Sequence, residues 1–205
     1  SFNILDKERS EDRFNFEGKS FIVDTNFAFK LLNRNLEFFF DSWDVNPQNL
    51  AQVNREFIRL DNFDMNFQDR KISLKSINDK GLSLGIENVE LSLLNDILVT
   101  DKFSFDGLFS ASVYKPNIYE VSALNGSLQI DSLNINEDDY GNLSASASSD
   151  LEDSPLRVDG ELEHPDHGLK FNGFLFAEAT EVTSDFYALD LQLDRLPMHI
   201  LTSFV

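Results

Sequence analysis

The 205-residue chain contains no cysteine. That excludes a disulfide framework and any thiolate metal site, and it leaves the redox compartment open. Basic residues are scarce: 17 Lys and Arg stand against 36 Asp and Glu, for a net charge of −19. So acidic a chain is unsuited to nucleic acid, whose binding needs phosphate neutralisation, and to adsorption on anionic membrane surfaces. Apolar runs extend only a few residues, so no signal peptide, transmembrane span or targeting segment is visible. Tryptophan occurs once and tyrosine four times, whereas phenylalanine occurs 20 times. This bias favours wide apolar surfaces that lack the polar handle of Tyr and Trp.

The apolar share of 41% suffices for a core, and the length fits one large or two small domains. Opening on Ser1 and entering an apolar stretch at once, the chain reads as one β-rich segment, 1–205, of something longer.

The organising stretch runs from Ala123 to Glu163 and alternates in twos. Leu128, Ile130, Leu133 and Ile135 are interleaved with Ser, Gln, Asp and Asn; Leu143, Ala145 and Ala147 follow in the same way. After Asp153-Ser154-Pro155 come Leu156, Val158 and Leu162. Such alternation over short runs bounded by turn residues predicts strands with one apolar and one wet face.

The same texture fills most of the chain. Phe14 and Phe16, Phe21 and Val23, and Phe27, Phe29 and Leu31 alternate at the start. Asn46-Pro47 reads as a helix start, with Leu50, Val53 and Phe57 on one stripe, so a short helix is expected over 47–57. Phe57 to Leu60 equally fits the beginning of a strand. Leu82, Leu84 and Ile86 lead to Val89 and Leu91 with a parity shift at Glu87-Asn88, the sign of a β-bulge or tight turn. Phe103, Phe105 and Phe109, then Leu169 and Phe171, and finally Leu189, Leu191 and Leu193 complete the ladder. Leu196, Ile200, Leu201 and Phe204 change to a helical period, with Asp194 as cap, predicting a short C-terminal helix. Strand-rich 1–100 and repeat-like 101–205 are the two halves of this organisation.

Gly107, Gly126, Gly160 and Gly173 each fall on the apolar parity of their run. Inward glycines mark a bend or a close approach, which suggests a sheet creased along them. Each also follows Asn or Asp, the hairpin-turn signal, so turns are the competing reading. An amphipathic sheet of this length must hide its apolar face against a second sheet, in a barrel, or around an apolar filling. The phenylalanines and inward glycines favour a long curved sheet folded into an open trough; a closed β-sandwich or β-solenoid is the alternative.

No chemistry-bearing motif stands out. His164-Pro165-Asp166-His167 sits in an expected turn, where solvated histidines are the rule, and no metal is assigned to it. Glu137-Asp138-Asp139 lacks the ligand spacing of a calcium loop. There is no nucleophile elbow, phosphate-binding loop or dinucleotide fingerprint. The expectation is a non-enzymatic protein without cofactors.

The pieces FSFDGLFSASV, LNGSLQIDSLNINEDDYGNLSASASS, LRVDGELEHPDHGLKFNGF and YALDLQLDRLPMHILTSFV resemble, in this order, the C-terminal repeats of the TamB family. That family belongs to the AsmA-like envelope proteins of Gram-negative bacteria, and the acidic, Asn-rich flavour is closest to the Bacteroidota version. The resemblance covers about half the chain. It implies a β-taco segment in the periplasm, anchored to the inner membrane through a segment outside this chain. It also implies a role in phospholipid transport to the outer membrane or in outer-membrane protein assembly. The implied partners are phospholipid acyl chains, an outer-membrane barrel of the TamA type and unfolded β-barrel clients. The expected groove lining is Phe103, Phe105, Phe109, Leu128, Ile130, Leu133, Ile135, Leu143, Val158, Leu162, Phe171, Leu189 and Leu191. Two other readings are a structural or adhesive β-sandwich and an edge that captures strands of a client.

Overall fold

A computed structural model describes residues 2–5, 12–23, 26–33, 36–38, 41–93, 95, 103–119, 124–149, 155–175 and 187–194. Apart from helical residues at Ser92, Leu93 and Asn95, the described elements are strands, and the sheets are open, with linear rather than cyclic strand orders. The chain divides into two compact units, one of residues 1–89 and 113–120 and one of residues 90–112 and 121–205.

The first unit holds three groups of antiparallel strands. One follows the order β1 (Phe2–Leu5), β2 (Asp12–Phe16), β5 (Glu37–Phe38), β6 (Asp41–Ser42). A second follows β3 (Gly18–Val23), β4 (Asn26–Leu31), β8 (Leu50–Val53), β9 (Ile58–Asp61). The third follows β12 (Gly81–Glu90), β11 (Arg70–Ile77), β10 (Phe63–Phe67), β7 (Asp44–Val45). Its core gathers Leu31, Leu36, Trp43 and Val45, with Phe29, Phe38, Phe63 and Phe67 packed around them. The Trp43 ring meets Phe38 edge-on at 6.0 Å and donates its Nε1–H to the Phe38 carbonyl at 3.1 Å. The polar end of the one tryptophan is thus satisfied inside the core.

The expected helix over 47–57 is absent. Residues 47 and 48 form a turn, and β8 begins at Leu50. Asn46 does not cap a helix: its Oδ1 accepts the Gln48 N–H at 2.9 Å and closes a local turn. Asn49, only 1% exposed, then accepts the Leu31 N–H at 2.7 Å and donates Nδ2 to the Leu31 carbonyl at 2.9 Å. That side chain completes the end of β4 where the backbone ladder stops. A helix of about three turns is marginal by itself, so pairing of β8 with both β4 and β9 decides the outcome.

The parity shift at Glu87-Asn88 is a local backbone reversal inside β12: Asn88 adopts φ 56° while the strand continues to Glu90. Asparagine tolerates this left-handed conformation better than other non-glycine residues.

The second unit follows the order β13 (Phe105–Lys115), β14 (Leu124–Ile135), β15 (Asp138–Ser149), β16 (Leu156–Glu163), β17 (Gly168–Leu175), β18 (Tyr187–Asp194). Its core is Leu91, Ile130, Leu133, Tyr140 and Leu162, with Phe105, Phe109, Leu128, Ile135, Leu143 and Leu169 packed against it. The β14–β15 hairpin turns at Asn136-Glu137, both with positive φ (53° and 70°), as a two-residue primed turn requires. The expected C-terminal helix lies outside the described residues.

Candidate functional site

The register of β14 to β18 carries the sequence ladder into three dimensions. Residues directly opposite one another share a face, so each pairing extends a row across the sheet. One row is Gly126, Ala147, Val158, Gly173 and Leu189. The next is Leu128, Ala145, Gly160, Phe171 and Leu191, and the third is Ile130, Leu143, Leu162, Leu169 and Leu193. Eight of the expected lining positions and three of the four glycines therefore lie on one face.

These rows are not equivalent. The third is a row of branched side chains whose Ile130 and Leu162 are buried in the core. Row one is built largely of Gly, Ala and Val, the Phe171 ring covers Gly160 in row two, and Leu128, Ala145, Ala147, Val158 and Phe171 are only half-buried. The result is a low apolar strip running across the strands beside a higher packed ridge.

The remaining lining positions divide differently. Phe105 and Phe109 of β13, together with Leu133 and Ile135 of β14, belong to the packed core or touch it. Phe103 precedes β13 and stacks on Phe105 with ring centroids 6.3 Å apart.

All four glycines lie within strands, so none serves as a hairpin turn. In-phase alternation on both sides outweighed the Asn-Gly and Asp-Gly signals. Of the four, only Gly107 has a left-handed backbone, at φ 130°. A Cβ there would lie 2.9 Å from the carbonyl oxygens of both Asp131 and Ser132, and the Gly107 carbonyl accepts the Leu91 N–H at 2.9 Å. Ser132 itself sits at φ 55°, where the β14–β15 register shifts. Gly107 is required by that irregularity, whereas at Gly126, Gly160 and Gly173 the register runs unbroken.

A second shift of that register, between Leu133 and Asn134, falls at Tyr140, beside Gly141 at φ 84°, and accounts for a core residue that sequence reasoning missed. Tyr140 is out of phase with Leu143 and Ala145, yet it is 3% exposed and part of the core. A bulge re-aims one side chain to the opposite face. Tyr140 also meets the buried His167 edge-on at 6.5 Å, and His167 stacks on His164 at 4.2 Å. His164 accepts the Asp166 N–H at its Nδ1 at 3.1 Å. These histidines close the β16–β17 turn, and no group of metal-ligating side chains forms among the described residues.

The opposite face is polar. Ser127, Ser146, Asp159, Asn172 and Asp190 form one row, and Gln129, Ser144, Glu161, Lys170 and Gln192 the next. Lys170 Nζ lies 2.6 Å from Glu161, whose hydrogen bond and charge raise the lysine above its ordinary pKa. Asp159, 2.7 Å from Arg157, raises that guanidinium through its hydrogen bond and its charge. Both cations are held charged on the wet side, which keeps the two faces chemically distinct.

Comparison of the chain with family models, with curated proteins and with solved structures returned no match.

Proposed function

We propose that the apolar face of β14–β18 accommodates lipid acyl chains. The chain is then a non-enzymatic, periplasmic β-trough segment of a TamB-like envelope protein. The observation that carries the reading is the low row through the half-buried Gly126, Ala147 and Val158 to the buried Gly173. An extended hydrocarbon fits a strip of this kind, because small side chains leave it room beside the Ile130–Leu143–Leu162–Leu169 ridge. Ten methylenes taken half out of water would contribute roughly 4 kcal/mol, enough to hold a chain while letting it slide. No chemical step is involved: movement is diffusion along an apolar path, with headgroups at its open edge.

In this reading the sheet curves into the open trough expected from the glycines and phenylalanines, and the segment takes part in phospholipid transport between the inner and outer membranes. An outer-membrane barrel of the TamA type would receive its cargo, and assembly of outer-membrane β-barrel clients would use the same path. The test is native mass spectrometry with lipid extraction of protein purified without detergent. Retained phospholipid that is lost when Val158 and Phe171 are changed to Ser supports the reading. A folded, lipid-free protein that also excludes a fluorescent fatty acid rejects it in favour of a dry scaffold.

A further inference from the structure

The β3-β4-β8-β9 sheet presents a second surface that the lipid reading does not use. Strand β3 is the end strand of this sheet, and Gly18 to Ile22 are all exposed. Ile22 pairs with Phe27 and Phe27 with Val53, forming a cross-strand row exposed by 69%, 51% and 36%. On the other face Lys19 stands directly opposite Lys30. Like charges facing each other across two strands are unfavourable, and neither lysine has an acidic partner among the described residues. A lysine pair of this kind, in a chain with about twice as many acids as bases, invites an acidic strand along the edge.

The chain contains such a strand. β18 ends the strand order of the other unit, and its exposed residues are Ala188, Asp190 and Gln192. These alternate with the apolar positions 187, 189 and 191. Laid antiparallel on β3 with Asp190 opposite Lys19, β18 would set Tyr187 opposite Ile22, Leu189 opposite Ser20 and Ala188 opposite Phe21. The Ile22–Phe27–Val53 row would gain an apolar neighbour, and the Lys19–Lys30 repulsion would gain an anion beside it.

We propose that β3 is a docking edge for β18 of a second copy of this chain, by antiparallel strand addition. This is independent of the lipid reading. The two surfaces differ, so the contact is head-to-tail, and each added copy leaves one β3 and one β18 free. Association therefore continues past the dimer.

Sedimentation velocity over a wide concentration range, at low and high salt, tests this. The expected result is a mass that climbs beyond dimer with concentration and falls with salt. Lys19→Glu and Asp190→Lys should each weaken association about five-fold, and combining them should restore it. A synthetic peptide of the sequence YALDLQLD should cap the β3 edge and return the protein to monomer. A protein monomeric at every concentration overturns the proposal, as does a doubly swapped protein that fails to recover. Stronger association of Lys19→Glu also overturns it, because Lys19 would then be guarding the edge. Binding of the monomer to phosphatidylethanolamine–phosphatidylglycerol vesicles, lost in Ile22→Ser, would assign the surface to a membrane instead.

Discussion

Gly160 and Phe171 stand directly opposite each other in the β16–β17 ladder, and the phenyl ring lies over the glycine. A Cβ built on Gly160 would overlap three atoms of that ring. The ring thus occupies the space a side chain would take, covering a glycine that would otherwise weaken the strand. Replacing Gly160 by Ala should force Phe171 into another rotamer and destabilise the fold by about 1–3 kcal/mol. Chemical denaturation measures the loss, and a wild-type midpoint would mean that the ring moves aside without cost.

The two kinds of apolar position should separate experimentally. Leu162 is 6% exposed in the core ridge, so Leu162→Ala should cost about 2–4 kcal/mol through lost burial and a residual cavity. Val158→Ser, in the half-buried row, should cost about 1 kcal/mol yet remove bound lipid. Equal stability losses with no difference in lipid content would contradict the division into ridge and strip.

Asn49 supplies a donor and an acceptor to the backbone of Leu31 while itself 1% exposed. Asn49→Leu should therefore cost about 2–4 kcal/mol, because it strands a buried N–H and C=O together. Hydrogen exchange at the Leu31 amide should accelerate with it. An unchanged exchange rate would show that the side chain is dispensable to β4.

Lys170 should make the polar face respond to pH in the alkaline range. Lys170 is raised by its bond to Glu161, so the folded lysine holds its proton more tightly than the unfolded one. Its contribution is present in full below the unfolded value of about 10.4 and is lost as pH rises through the higher folded value. Because the Lys170 side chain is exposed, Lys170→Met should move the thermal midpoint little at neutral pH. The difference between wild type and variant should shrink as pH rises through that folded value. A difference that grew with pH would contradict the pairing.

By itself the sequence determined that this is an all-β protein whose strands have one apolar and one wet face. Period-two alternation is a local property, and the observed register preserves it from Leu124 to Ile130 and along the β15–β16 pairing. It also placed Gly126, Gly160 and Gly173 on the apolar parity, which holds where the register runs unbroken. Tertiary structure decided the rest. Pairing with β4 and β9 made Leu50–Val53 a strand although its spacing suits a helix, because propensity over a few residues yields to two ladders of backbone bonds. The register shift beside Gly141 turned Tyr140 inward against its parity. Register alone decided that the Gly, Ala and Val of four separate strands line up beside a leucine ridge. Each strand states only its own alternation, and cross-strand alignment depends on turns and bulges that lie far from the residues they place.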